Sequence, residues 1–308
     1  MIATTGFFDG VHLGHRHVIE RLVSLARERG DESLVVTFWP HPRAVLQDGA
    51  RELRLLNSLE EKKELLRSLG VGRVEVLDFT RTFAALTAEE YLRDVLRDRF
   101  GVTTLLVGYD NRLGSDRLTA ASLAPMASAL GIELLELPPL SFRAEPQDAP
   151  LSFRAEPQAE SRNLEISSTK IRKFLEEGNI TSATEMLGYG YSLKGVVVAG
   201  NRLGRTIGFP TANMKLYEPL KLVPGRGVYV VEVEVLGKTY RGMTNIGLRP
   251  TVGGTSTTIE THILDFDEDI YGLPLRITFL RRLRDEVHFP SLEALKAQLT
   301  LDRSACRE

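Results

Sequence analysis

Apolar runs alternate with amphipathic segments through the first half of the chain. Ile2–Thr5, Leu34–Phe38 (Leu-Val-Val-Thr-Phe), Val74–Phe79, Thr103–Gly108 and Ile132–Leu137 are short β-branched or apolar stretches, the mark of buried strands. Between them lie segments of helical period. One opens near His15, carries Val18, Leu22, Leu25 and Ala26 on one face, and stops at Gly30. Ser58-Leu-Glu-Glu61 and Thr87-Ala-Glu-Glu90 are capping boxes; they predict helices running to Gly70 and to about Phe100. Leu118–Leu130 predicts a further helix. Strands alternating with helices imply a doubly wound parallel α/β sheet, whose ligands bind beyond the carboxyl ends of the strands.

The pattern then changes. Ser167 or Ser168 can cap a helix reaching Glu177, and a short second helix ends near Gly188. Beyond it, Leu193–Val198, Gly227–Val235, Lys238–Met243, Thr257–Leu264 and Leu275–Leu280 alternate with period two between glycine-rich turns. They predict an antiparallel sheet or small barrel. A last helix, Ser291 to about Leu301, shows Leu292, Leu295 and Leu299 on one face. The domain boundary falls near Gly188. Leu140–Gln147 (LSFRAEPQ) recurs as Leu151–Gln158; the copy is too short for a solenoid unit and reads as a local duplication in a polar loop.

Composition narrows the class. The 308 residues are 43% hydrophobic and 26% charged, with net charge −2. That balance gives no electrostatic footprint for nucleic acid. No apolar run approaches the roughly 20 residues of a membrane span, and no signal-peptide pattern is present. Cys306 is the only cysteine, so disulfides and cysteine metal sites are excluded and a cytoplasmic setting is expected.

The chemistry concentrates in a few motifs. After the first strand comes Gly6-Phe7-Phe8-Asp9-Gly10-Val11-His12-Leu13-Gly14-His15. Gly10 and Gly14 let backbone approach a ligand, and the helix start offers free N–H groups. His12 and His15 can donate hydrogen bonds to a phosphorus centre. Alone, His-x-Gly-His is a glycine turn with two surface histidines; the strand–turn–helix setting favours phosphate. Ile166-Ser167-Ser168-Thr169-Lys170-Ile171-Arg172 gathers hydroxyls and cations at a helix start, suited to a polyphosphate. Phe38-Trp39-Pro40-His41-Pro42 is a rigid turn, read as structural. In Gly204-Arg205-Thr206-Ile207-Gly208-Phe209-Pro210-Thr211-Ala212-Asn213, alternation points Thr211 and Asn213 the same way, offering two oxygens to Mg²⁺. Glu260 alternates with apolar neighbours and can act as a general base; without context it is a surface carboxylate. His262 shares its face and reads as structural. Arg281, Arg282 and Arg284 read as a solvated basic face.

His12–His15 and Ile166–Arg172 resemble the HxGH and ISSTxIR signatures of adenylyltransferases. GRTIGFPTAN, Asn245–Thr251 (NIGLRPT), Ile259–Asp267 (IETHILDFD) and the tail from Arg282 resemble the riboflavin kinase module. In this order, over nearly the whole chain, they resemble the prokaryotic bifunctional riboflavin kinase/FAD synthetase family. The resemblance implies an adenylyltransferase at 1–187 and a six-stranded barrel kinase at 188–308. It implies ATP as co-substrate, Mg²⁺, and riboflavin and FMN as small-molecule partners, with no membrane and a monomer or weak homo-oligomer. Gly6, Phe7, Asp9, Gly10, Gly14, Ser167, Ser168, Thr169, Arg172, Gly204, Arg205, Gly208 and Pro210 are then the nucleotide-binding residues. Tyr109, Asp110 and Arg112, in Tyr109–Gly114, would border the flavin, as would the Phe38–Pro42 turn. Thr211 and Asn213 would hold the metal, and His12, His15 and Glu260 would be catalytic. The alternatives are a kinase with a non-catalytic first domain, a flavin-binding regulator without turnover, and a cytidylyltransferase.

Overall fold

In the computed structural model the described residues are 1–46, 53–109, 111–138, 166–200, 203–251 and 254–307. The duplicated octapeptide and Asp110 lie outside them. The chain divides into two compact units. The first is Met1–Leu53 with Leu59–Ser167; the second is Arg54–Ser58 with Ser168–Glu308.

The first unit is built on β1 (Ile2–Thr5), β2 (Ser33–Trp39), β3 (Arg73–Asp78), β4 (Thr104–Gly108) and β5 (Glu133–Leu137). They form one sheet in the order β3-β2-β1-β4-β5, every pair parallel. The three inner strands β2, β1 and β4 are buried along most of their length because both faces are covered, whereas the edge strands β3 and β5 carry charged residues. Ala3, Leu34, Val36, Leu105 and Val107 enter one core; Ile2, Val35 and Leu106 enter the other.

The connecting helices are α1 (Leu13–Arg29), α2 (Pro42–Leu46), α3 (Leu59–Ser68), α4 (Arg81–Ala84), α5 (Ala88–Glu90) and α6 (Ala120–Ala129). Gly30 ends α1 in the left-handed region at φ 65°, its N–H reaching the Ala26 and Arg27 carbonyls. The face of α1 that is buried is Ile19, Leu22, Val23, Leu25 and Ala26; Val18, expected there, is only half-buried. The Thr87–Glu90 capping box forms as expected. The helix after it widens over Tyr91–Arg97, where Asp98 N–H reaches back to Arg93.

In the second unit α7 (Ser168–Glu176) and α8 (Ile180–Leu187) cluster with a closed antiparallel barrel. Its strands are β6 (Ser192–Val198), β7 (Ala212–Leu216), β8 (Gly227–Val235), β9 (Lys238–Thr251), β10 (Gly254–Ile263) and β11 (Pro274–Arg284). The barrel closes in the order β10-β7-β6-β11-β8-β9. β9, β10 and β11 run longer than the sequence pattern predicts, and β7 was missed by it. A short turn α9 (Leu203–Thr206) and a final helix α10 (Leu292–Ala305) complete the unit. No helix among the described residues is long and apolar enough to cross a membrane.

Candidate active sites

β1 is the middle strand, and the chain leaves it toward β2 on one side and returns at β4 on the other. Its carboxyl end is therefore the topological switch point of the sheet. The loop emerging there is wound tightly, with positive φ at Phe8 (51°), Gly10 (86°) and Val11 (36°). That backbone is costly for the β-branched Val11 and is held by the surrounding site.

His12 caps α1 through its ring: Nδ1 accepts the His15 backbone N–H at 3.3 Å. An acceptor Nδ1 places the ring proton of neutral His12 on Nε2, which is then a donor. The His12 and His15 rings stack, centroids 3.6 Å apart and 14° from parallel. Gly14 permits this, since a Cβ there would lie 3.3 Å from the His12 ring. His15 Nδ1 is buried with no hydrogen-bond partner. Burial, with repulsion from His12 and then Lys62, pushes the His15 imidazole well below its usual range. At neutral pH it is uncharged, able to donate or accept as a reaction requires. Asp9 and His12 are nearly inaccessible, at 4% and 6% exposure.

The Phe38–Pro42 turn borders this loop. His41 packs on Phe7 with ring centroids 4.1 Å apart. Sequence reasoning missed Lys62, which has no exposed surface and points its ammonium at the Phe7 ring, 3.7 Å from the centroid. The signal was present: Lys62 occupies a core position on the stripe Leu59, Lys62, Leu66 of α3.

The other flavin candidates are less gathered. Tyr109 and Arg112 are exposed. Asn111, not a candidate, ties the β4 loop to β1 by donating to the Thr5 carbonyl at 3.2 Å. Leu113 is core. Ser168, Thr169 and Arg172 begin α7 in the second unit, with Ser167 immediately before it; the Arg172 Nε–H donates to the Arg54 carbonyl at 2.8 Å.

Barrel register assembles the second site. Glu260 of β10 pairs with Asn213 of β7 and with Asn245 of β9, so the three side chains share one face. Thr211 and His262 lie two residues along on the same sides. A cavity of about 580 Å³ opens there, lined by Thr211, Asn245, Glu260, Met243, Phe289 and the apolar face of α10. That is a size suited to a small-molecule ring system. Leu292, Leu295 and Leu299, predicted on one face of a helix, line this cavity. A smaller recess of about 80 Å³ is bordered by Arg205, Pro210, Thr211 and Phe266–Tyr271. The glycine-rich motif is split between the two, and Thr211 borders both.

Gly200 and Gly204 are demanded by close approach. A Cβ on Gly200 would fall 2.1 Å from Asn213 Nδ2, and one on Gly204 would fall 2.2 Å from the Phe209 carbonyl oxygen. His262, expected to be structural, holds its Nδ1 2.8 Å from the Pro210 carbonyl, burial lowers its pKa, and it also lines the large cavity. The arginine cluster departs from expectation. Arg284 lines the large cavity and forms a two-pronged pair with Asp302 at 2.7–3.1 Å, where Asp302 is 4% exposed. Arg281 and Arg282 instead donate to the Ala305 and Arg226 carbonyls.

Two family models match the chain: FAD synthetase over residues 1–147 and riboflavin kinase over residues 187–308. A bifunctional riboflavin kinase/FMN adenylyltransferase of Escherichia coli K12 is 36% identical over 100% of this chain and 92% of its own length. One of Listeria monocytogenes is 34% identical over 99% and 91%. A crystal structure from Streptococcus pneumoniae, described as a macrolide-efflux protein, superposes with a TM-score of 0.87 at 31% identity, covering 100% of this chain and 93% of that one.

Proposed function

This chain belongs to the bifunctional riboflavin kinase/FMN adenylyltransferase family, and we propose how its residues carry out the two reactions. Riboflavin is phosphorylated to FMN by the barrel portion, residues 188–308. FMN is adenylylated to FAD by residues 1–187. Both steps use ATP. The observation that carries the kinase assignment is Glu260 and Asn245 lining the large cavity, with Asn213 paired to Glu260 on the same face in the next strand.

In the first reaction Glu260 accepts the proton of the riboflavin 5′-hydroxyl. The freed oxygen attacks the γ-phosphorus, and ADP leaves with the bridging oxygen's electrons. General-base help of this kind contributes about 10²–10⁴-fold. The apolar wall of Met243, Phe289 and α10 takes the flavin ring. Gly204, Arg205, Gly208 and Pro210 border the nucleotide. Thr211 and Asn213 supply neutral oxygens beside a carboxylate, a donor set that fits a hard cation carried on nucleotide phosphates, and we assign Mg²⁺ to them. Bound there, the ion neutralises phosphate charge.

In the second reaction a phosphate oxygen of FMN attacks the α-phosphorus of ATP and pyrophosphate leaves. No protein nucleophile is required, because phosphoryl transfer relies on positioning and electrostatics. His12 donates from Nε2, and neutral His15 from whichever nitrogen carries its proton, to the charge developing on phosphorus. Gly6, Phe7, Asp9, Gly10 and Gly14 shape the loop. Ser167, Ser168, Thr169 and Arg172 bind phosphate at the start of α7. Tyr109, Asp110 and Arg112 border the flavin. The working context is the cytoplasm, with small-molecule partners, no nucleic acid, and a monomer or weak oligomer.

The test is separation of flavins by chromatography after incubation with Mg-ATP, supplying riboflavin or FMN separately. FMN from riboflavin and FAD from FMN are expected. A folded protein that binds flavin yet forms neither product would refute the reading.

A further inference from the structure

A lysine with no exposed surface is expensive unless something replaces its water. Around Lys62 the replacement comes from the HxGH loop and the strand beside it. The ammonium stands over the Phe7 ring at 3.7 Å and lies 6.0 Å from the Trp39 ring. It donates to Thr37 Oγ1 at 3.4 Å. That hydroxyl in turn donates to the Phe7 carbonyl at 3.2 Å. The carboxylate of Asp9, itself buried, attracts the same cation. Phe7 and Asp9 flank Phe8, whose ring meets His15 edge-on at 5.3 Å. One ammonium therefore connects α3, β2 and the loop that carries the stacked imidazoles.

We propose that Lys62 is a positioning residue for adenylyl transfer: a buried cation that fixes the Phe7–Asp9 loop on which the His12/His15 pair is built, without touching the nucleotide. The role rests on the assignment of the HxGH loop as the adenylyl-transfer site. The charged and titratable groups around it are Asp9 on the loop, His12 and His15 on α1, His41 against Phe7, and Glu61, also buried, on its own helix. Its charge opposes protonation of His15. Burial pushes Lys62 itself down to about 8, against the attraction of Asp9, so the cation that holds the loop is lost in mildly alkaline solution.

The experiment uses the full chain with Lys62→Met, Lys62→Arg and, in parallel, His12→Ala. Riboflavin phosphorylation serves as an internal control. FAD formation from FMN is measured against pH, and histidine ring signals are followed by NMR. For Lys62→Met, kcat is expected to fall roughly 100-fold, the scale of an ångström of misplacement. KM for ATP stays nearly unchanged, and His15 titrates at higher pH than in the parent. Lys62→Arg keeps the charge and does not titrate. It should restore activity at neutral pH and lack the alkaline decline near 8.

Three results overturn the proposal. One is Lys62→Met with kcat within about twofold of the parent and an unmoved His15 titration. A second is a rise in KM for ATP alone, which would make Lys62 a nucleotide ligand. The third is Lys62→Arg as inactive as Lys62→Met at every pH while its histidine signals remain native, which reduces the lysine to packing. Unchanged FAD synthesis by His12→Ala is a different failure, that of the site assignment itself.

Discussion

Gly200 is the most economical point at which to attack the kinase site. It touches no substrate in the proposed chemistry, yet its backbone lies against the Asn213 amide. An alanine Cβ there would stand 2.1 Å from Asn213 Nδ2, about 1.3 Å short of the 3.4 Å at which ordinary contact begins. The backbone of Asn213 cannot yield, because β7 is held by Val198 on one side and Glu260 on the other. The side-chain amide or the loop over it must move by that amount. A misplacement of an ångström costs on the order of 10²-fold in rate, about 3 kcal/mol of transition-state stabilisation. Gly200→Ala is therefore expected to slow FMN formation about 100-fold while FAD formation from supplied FMN continues. Chromatographic initial rates with saturating Mg-ATP measure both. FMN formation within about twofold of the parent would refute the reasoning, since it would mean that Asn213 has no fixed task.

The remaining expectations are simpler. Glu260→Gln keeps the shape and removes the base, so FMN formation falls by about 10²–10⁴-fold and FAD synthesis from FMN survives; joint loss of both in a folded protein contradicts independent sites. His12→Ala removes a phosphate donor and a helix cap together, and FAD synthesis should drop by about 3–4 kcal/mol in activation terms while the kinase rate stays level. Asp302→Asn leaves Arg284 without its counter-charge at the cavity wall, with an expected loss of about 3 kcal/mol from the barrel unit, read by denaturant unfolding and a raised KM for riboflavin. His15, whose folded pKa lies below the unfolded 6.5, adds stability that is complete above pH 6.5 and lost as pH falls from there toward the folded value; pH-dependent unfolding of the chain tests this, and a flat acid limb contradicts it.

The fold was legible wherever its determinants are local. The apolar run of β1, the stripe and Gly30 stop of α1, and the Thr87–Glu90 box each specify their element within a few residues. β7 was not legible. Ala212-Asn-Met-Lys-Leu216 is short and follows a proline by two residues, and only Ala212 and Met214 on its buried face carry an apolar signal. The end of β9 is lost beyond Met243, where Thr244, Asn245, Gly247 and Pro250 interrupt the apolar alternation.

Lys62 is the corresponding case in the parallel sheet. Its helix was predicted, and Lys62, with Glu61 beside it, is a charge that the helix buries without explaining. A charged group in that place opposes burial by several kcal/mol unless something else requires it. Lys62 lies beneath the loop that stacks two imidazoles, and that loop supplies the requirement. In the barrel the signal is different: Asn213, Asn245 and Glu260 are half-buried, and strand register brings them together across three strands on the face opposite the buried Thr244 and Thr261. A buried polar residue that a confident element assignment leaves over is better evidence of chemistry here than any single motif.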